Sequence, residues 1–467
     1  VRFEFEESTA LPRLAWAASM EQGNPVIHVW HGPWVETRPE GFVEGAWDGE
    51  FSEFDFDQSD CLAGSGGRLL GEGVVFSTPA HLYERLHAIR KGPRLIVSNS
   101  LPFLLALSSD RLDPWHRHYF FDFLDYQRVG ISVKHKPLRL ADAGFLELHD
   151  CCNLEVAADL TITRREKAWA SAPSGYGEYV ESLKSGVAKI FRNAADSRRK
   201  QTYQPKAMIS QGYDSVAAAA LGSSAGCRDG VTFAKSGSTG GYVDDDGTAI
   251  GEVLGMRVTR YERNDSFVRP DYRPEEFYLE PWGVDRTIAV MAPDLAGAIL
   301  LTGRSGSAVW ARHPSNGLPD LRQDVDFLAG CTCGEFRLRT GHIQLHPASL
   351  GEIHALTIRP WNSSTEMKPW SLDQKYDKPI ARRIAEEAGV PRHLFGHRKK
   401  GGQKRKRQPG RVHRLGIRLL LWPPSRQVLV GLFGNRLHPR WWSGSFELQT
   451  HAATLVRRYQ DAIGAGS

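Results

Sequence analysis

Ser210, Gly212, Asp214 and Ser215 fall within SQGYDS, between a short apolar run and an alanine-rich run. Two hydroxyls, a glycine and one carboxylate at this spacing suit a polyphosphate. The hydroxyls donate, the glycine admits a backbone path that a Cβ would obstruct, and Asp214 is placed to hold the Mg2+ that accompanies such an anion. The elements that must position them follow from the flanking pattern. Lys206–Ile209 predict a buried strand, Ser210–Ser215 a turn, and Val216–Leu221 the first turns of a helix. A helix starting near Asp214 leaves its first amide hydrogens without intrahelical acceptors, directed at the same anion. SQGYDS lacks the GxxxxGK[ST] spacing and the lysine of a Walker A loop.

The pattern repeats downstream. VTFAKSG predicts a second strand ending at Ala234–Ser236, the acidic DDDG precedes a helix, and MRVTRYER predicts a third strand. LAGAILLTGRSGSAVW runs from apolar residues into a glycine-rich turn that begins at Gly303. Strand, loop, helix and strand in this order specify a parallel sheet whose ligands gather at the carboxyl ends of its strands. Ser210–Ser215 and Ala234–Ser236 therefore belong to one candidate site. The helix of DKPIARRIAEEAGVP, the basic run GHRKKGGQKRKR and a last amphipathic helix follow, and the apolar tail is expected to pack on this second domain.

Residues 1–165 read differently. VRFEFE, PVIHVWHG, GGRLLGEGVVFST, PRLIVSNS, ISVKHKPLRL, FLELHDCCNLEVA and TITRREKAW are strand candidates, with a helical interruption around Leu82–Lys91. A layered, β-rich domain is expected there, joined by SAPSGY to a helix over about Tyr176–Asn193 and a second domain at 166–467.

At 467 residues and 41% hydrophobic content, the chain can bury at least two cores, and a net charge of +5 does not by itself indicate a nucleic-acid partner. Six cysteines without a CxxC pair or a disulfide-like framework predict a reduced, cytoplasmic setting. No apolar run approaches the length of a membrane helix, and the opening residues do not read as a signal peptide.

SQGYDS resembles the SGGxDS loop of the PP-loop ATP pyrophosphatases, with Gln211 where that family usually has glycine. Taken with LTGRSGSAVW and YDKPIARRIAEEAGVPRHLFGHRKKG, the chain resembles the asparagine synthetase and β-lactam synthetase superfamily over nearly its whole length. The resemblance implies an α/β protein, with an N-terminal Ntn-hydrolase-like layered domain before a PP-loop, adenine nucleotide alpha hydrolase-like domain. It implies ATP and Mg2+ as cofactors, adenylation of a small-molecule or peptide carboxylate with release of pyrophosphate, and capture by an amine, as in amide, lactam or macrocycle formation. It leaves a homo-oligomer open.

Carried residue by residue, the resemblance assigns phosphate contact to Ser210, Gln211, Gly212, Tyr213, Asp214, Ser215 and Gly303. It places adenine near Ala234 and Ser236, and metal binding at Asp214. Glu335 matches the glutamate that orients or deprotonates the amine, with an ion pair to Arg337 or Arg339 as the structural alternative. Arg304 stands where β-lactam-forming relatives have a catalytic tyrosine, and is suited to holding a carboxylate or phosphate. Lys399 and Lys400 match the lysine segment that closes the site. A second metal-binding aspartate is expected near Ser307, where this sequence has serine; that leaves one weakened metal site, a substitute such as Asp244, Asp245 or Asp246, or a degenerate enzyme. Glutamine-dependent members use an N-terminal cysteine; this chain begins Val-Arg-Phe, so glutamine hydrolysis is not expected.

Two other classes stay open at this point. A tRNA-modifying or sulfur-transferring PP-loop enzyme would use the basic run on nucleic acid, and a nucleotide-binding scaffold would tolerate Gln211 and Ser307. Cys331, Cys333, His342 and His346 have zinc-binding atom types without a recognised spacing.

Overall fold

The computed structural model describes residues 1–116, 119, 137–142, 144–236, 243–277, 286–312, 333–374, 376–397 and 440–464. Within them the first part of the chain forms β1 (Arg2–Glu7), β2 (Trp16–Glu21), β3 (Val26–His31), β4 (Glu36–Arg38), β5 (Gly41–Ala46), β6 (Ala63–Leu70) and β7 (Gly73–Ser77). There follow β8 (Leu86–Lys91), β9 (Arg94–Ser98), β10 (Leu138–Arg139), β11 (Phe145–His149), β12 (Cys152–Val156) and β13 (Ile162–Glu166). Two sheets result, ordered β1-β3-β2-β9-β8-β11-β10 and β13-β12-β7-β6-β5-β4.

The sheets face each other because alternate residues of their strands are apolar. Trp16 of β2 meets Phe42 of β5 edge-on at 4.9 Å and stacks on Phe76 of β7 at 6.0 Å, and these residues head one buried core. The Trp16 indole N–H still needs an acceptor in that core, and Ser65 supplies it at 3.1 Å.

Two expectations are corrected here. Leu82–Lys91 is not helical: Leu86–Lys91 is β8, antiparallel to β9 across a turn in which Gly92 takes a φ of +59°. Cross-strand pairing of Ile89 with Ile96 overrides a local helical reading. FLELHDCCNLEVA is two strands in two sheets, and Cys151, at φ +48°, turns the chain between them.

The helix Tyr176–Ala194 forms as its apolar spacing predicts, burying Tyr176, Tyr179, Val180, Leu183, Val187, Ile190 and Phe191 on one stripe. It leads into a second body, a sheet of β14 (Gln204–Ile209), β15 (Asp229–Phe233), β16 (Arg257–Tyr261), β17 (Ala298–Leu301) and β18 (Ile343–Leu345). All its pairings are parallel and the order is β16-β15-β14-β17-β18. The order reverses direction at β14 and β17, so the loops after these two strands diverge around a crevice.

The helix Tyr213–Ser224 packs on β14 and β17 and also against the helices Tyr176–Ala194 and Pro379–Glu387, so Ala217, Ala218, Ala219 and Ala220, which go nearly all the way round it, are all buried. Alanine lets neighbours approach on every side, and a larger residue at any of these positions would overpack one of them. The final helix, Arg440–Ala462, departs from the expected packing. It lies along the helix Leu101–Ser108, stacking Tyr459 on Phe103 at 4.7 Å and burying Leu448 and Leu455 with Leu101 and Leu105. The tail thus reaches back to the first 165 residues while also touching the second body.

Candidate functional site

The loop after β14 is closed by its own hydroxyls. Ser210 Oγ and Ser215 Oγ lie 2.7 Å apart, the Gly212 N–H donates to Ser210 Oγ at 3.2 Å, and the Ser210 N–H donates to Ser215 Oγ. Gly212 is the N-cap of the helix and offers no side-chain cap, so the first-turn amides of Asp214 and Ser215 keep no intrahelical acceptor. That is the anion-binding end of a helix.

Gln211, whose φ is not positive, is held by the acidic stretch. Its amide Nε2 donates to Asp244 Oδ2 at 2.7 Å and to the Asp246 carbonyl at 3.1 Å, while its backbone N–H donates to Asp245 Oδ1 at 3.1 Å. Asp244 and Asp245 are therefore committed to shaping the loop, and Asp246 Oδ1 accepts from the Thr248 hydroxyl and N–H.

The loop after β17 interlocks with the first. An added Cβ at Gly303 would sit 2.4 Å from the Asp214 carbonyl carbon and the Ser215 nitrogen, and one at Gly306 would sit 2.6 Å from the Asp214 carboxylate. Only glycine lets the two turns approach this closely. Gly303→Ala is expected to destabilise the protein by about 2 kcal/mol and to weaken anion binding at the loop, because backbone on both sides must separate. Urea unfolding together with phosphate-analogue titration checks this, and unchanged values in both would refute the interlock.

A residue that sequence reasoning missed completes the cluster. Lys378 stands immediately before the helix Pro379–Glu387; its ammonium forms an ion pair with Asp214 Oδ2 and donates to Ser307 Oγ at 2.8 Å. Ser307 in turn donates to Asp214 Oδ2 at 3.4 Å. The expected second aspartate near Ser307 is thus replaced by a hydroxyl, and a lysine from a distant segment supplies a positive charge. The signal available in the sequence was a lysine abutting the helix proline, which local pattern alone does not distinguish from a solvated one.

Asp214 Oδ1 is buried without a hydrogen-bond partner among the described residues. It fits one protein ligand to a Mg2+ carried mainly by nucleotide phosphates, the usual manner of that ion. Among the described residues, the only three-residue cluster of metal-ligand type is Asp48, Asp60 and Cys61, in the first 165 residues. Cys333, His342 and His346 do not form such a cluster there, and Cys331 lies outside the described residues.

Several expected side-chain roles change. Tyr213 is buried, with Arg382 donating to its hydroxyl at 2.7 Å and Phe395 against its ring, so only its backbone can serve a ligand. The Ala234 N–H donates to the Tyr261 carbonyl and its own carbonyl accepts from Asp245, which uses the groups expected to read adenine. Ser236 is buried, its N–H donating to the Val243 carbonyl. Arg304 points toward the first body, donating to Gln344 Oε1 at 2.9 Å with its guanidinium 5.7 Å from the Tyr83 ring centroid. Lys399 and Lys400 lie outside the described residues.

Glu335 is not part of the interlocked loops, nor does it pair with Arg337 or Arg339. Ser100 donates to its Oε1 at 2.7 Å and Tyr459 to its Oε2 at 2.5 Å, so its partners come from the first body and the final helix. Burial raises its pKa to about 7, against the opposing pull of these two hydrogen bonds. Arg337 instead forks onto Glu44 at 2.8 and 3.0 Å and pairs with Glu84 at 2.9 Å.

The second loop is braced from the first body. Ser305, at φ +60°, donates its N–H to the Tyr83 hydroxyl oxygen at 2.9 Å, that hydroxyl lies 3.1 Å from Ser305 Oγ, and the Oγ donates to Glu352 at 2.7 Å. A non-glycine residue in that conformation is held by such contacts. Thr302 shares a 2.7 Å hydrogen bond with His346 Nδ1, an imidazole that burial keeps neutral. No protein-family model and no curated protein matches the chain.

Proposed function

We propose that the chain is an ATP-dependent ligase that forms AMP and pyrophosphate while joining a carboxylate to an amine. In this reading it pairs a degenerate Ntn-type layered domain with a PP-loop synthetase domain. One observation carries the reading: two glycine-bearing loops, at the point where the parallel sheet reverses its strand order, interlock on a single carboxylate, Asp214.

The loop hydroxyls of Ser210 and Ser215 and the helix amides receive the phosphates, and Lys378 offers its charge beside them. Asp214 would hold a Mg2+ brought by the nucleotide, and that ion would supply charge neutralisation for a leaving pyrophosphate. A substrate carboxylate oxygen attacks the α-phosphorus, the α–β bond breaks, and pyrophosphate leaves with the electron pair. The amine then forms the C–N bond, losing a proton as AMP departs.

A nonhydrolysable ATP analogue is expected to bind the full chain saturably in a calorimetric titration, and Asp214→Ala to lose that binding. Saturation unchanged by Asp214→Ala would remove the site. ADP and inorganic phosphate as products would place the chemistry outside this class. A second reading, nucleotide binding without turnover, is favoured by the ion pair of Lys378 on Asp214, since a lysine already occupies one oxygen of the carboxylate. Analogue binding without ATP–pyrophosphate exchange on any carboxylate tested would select it.

A further inference from the structure

The turn between β7 and β8 carries the chain from one sheet of the first body to the other, and its polar side chains go to the second body. The His81 ring lies edge-on to His346 at 4.9 Å, Glu84 pairs with Arg337 at 2.9 Å, and the Tyr83 hydroxyl reaches the backbone of the loop after β17. Tyr83 is the one that touches the interlocked loops.

Its protons can be placed by counting donors. The Ser305 hydroxyl has one proton, which goes to Glu352 at 2.7 Å, so its oxygen accepts from the Tyr83 hydroxyl at 3.1 Å, and the Tyr83 oxygen accepts the Ser305 N–H at 2.9 Å. One phenol thus satisfies two polar groups of a single buried residue. The ring is itself fixed, edge-on to His346 at 4.7 Å, and His346 shares its 2.7 Å hydrogen bond with Thr302. The loop is therefore gripped on both sides of Gly303.

Small displacements matter at this point. The Ser305 carbonyl accepts the N–H groups of Ala308 and Val309, so Ser305 starts the short helix that brings Ser307 to Lys378. A shift of Ser305 passes to Gly306 and Ser307, both of which meet Asp214. A serine at φ +60° stays there only while its surroundings over-determine it. We propose that Tyr83 is a positioning residue for the nucleotide site, and that through it the docking of the first body is coupled to nucleotide binding at Asp214. The first body then serves the site without any chemistry of its own. The coupling rests on the nucleotide binding of the ligase reading, whereas the hold of Tyr83 on the loop does not. Coupling of this kind is reciprocal: a nucleotide that orders the loop also tightens the turn 81–84 upon it.

Tyr83→Phe keeps the ring against His346 and removes only the hydroxyl. Hydrogen exchange on the full chain reads the loop without a ligand, and amides over 302–310 are expected to exchange about 10-fold faster in the variant, the loss of about one buried hydrogen bond. A nonhydrolysable ATP analogue is expected to bind the variant about 10-fold more weakly in calorimetric titration. Bound analogue is expected to slow exchange over 79–87 in wild type and not in Tyr83→Phe. Val29→Ala, in the core between the two sheets, is the structural control: it is expected to lower stability and to leave loop exchange and analogue affinity unchanged. Should Tyr83→Phe fail to fold by circular dichroism, Ser305→Ala, which removes the oxygen that accepts from Tyr83, is expected to show the same two effects. Wild-type loop exchange in folded Tyr83→Phe, or an equal rise in Val29→Ala, would overturn the positioning role. Faster loop exchange with unchanged analogue affinity would overturn the coupling. No analogue binding by the wild-type chain would remove the ligase reading and the coupling with it, and loop exchange alone would then decide whether Tyr83 positions the loop.

Discussion

Lys378→Met is expected to lower stability by about 3 kcal/mol and to slow ATP–pyrophosphate exchange by roughly 100- to 1000-fold. The stability loss follows from where the pair sits. The Lys378 side chain is 5% exposed and that of Asp214 is 19% exposed, so removing the ammonium leaves a mostly desolvated carboxylate beside one serine hydroxyl. Most of that cost is the unpaired charge, so adding Asp214→Asn should restore much of the stability and none of the exchange. A urea double-mutant cycle reads the first effect, and pyrophosphate exchange on an active carboxylate reads the second. Additive losses in stability would mean that the two residues do not act as a pair. Wild-type exchange in Lys378→Met would remove the lysine from the phosphate site.

Glu335→Gln is expected to change how stability depends on pH while leaving pyrophosphate exchange intact. The Glu335 carboxyl has an ordinary value of 4.5 and is raised to about 7 in the folded protein, chiefly by burial. The folded state therefore holds the proton more tightly. The stability so contributed is fully present below pH 4.5, fades as pH rises, and is gone above pH 7. A shift of this size corresponds to about 3 kcal/mol. Glutamine does not titrate, so the difference between the variant and wild type should move by about that amount between pH 4 and pH 8, in favour of the variant at high pH. Parallel stability curves for the two proteins would show that Glu335 does not titrate with a raised pKa. A large fall in exchange would return Glu335 to the chemistry from which its contacts with Ser100 and Tyr459 separate it.

The catalytic part assigned to Glu335 rested on its position in GEFRLR, yet a helix as short as Gly334–Thr340 directs its residues by what packs against it. Glu335 is held by Ser100 and, more than a hundred residues later in the chain, by Tyr459 of the final helix. A comparable remoteness hid Lys378. Its spacing from Asp214 along the chain carries no periodicity, and only the docking of the helix Pro379–Glu387 on the helix Tyr213–Ser224 brings the two charges together. Ala234 was placed correctly at a strand end, but pairing to β16 and to the acidic stretch consumed the backbone groups it was expected to offer.

What the sequence by itself determined is local: the strand, turn and helix around Ser210–Ser215, the recurrence of strand and glycine-rich turn at Gly303, and the apolar stripe of Tyr176–Ala194. These follow from periodicity, from glycine's missing Cβ and from unpaired amides at a helix start, all set within a few residues. Only the tertiary structure decided which loops interlock, which lysine meets Asp214, that Arg304 and Glu335 face the first body, and that a cavity opens at the far end of the sheet. Those are contacts between segments far apart in the chain. Their energies arise from desolvation and charge pairing after the elements have packed, and no local residue pattern encodes them.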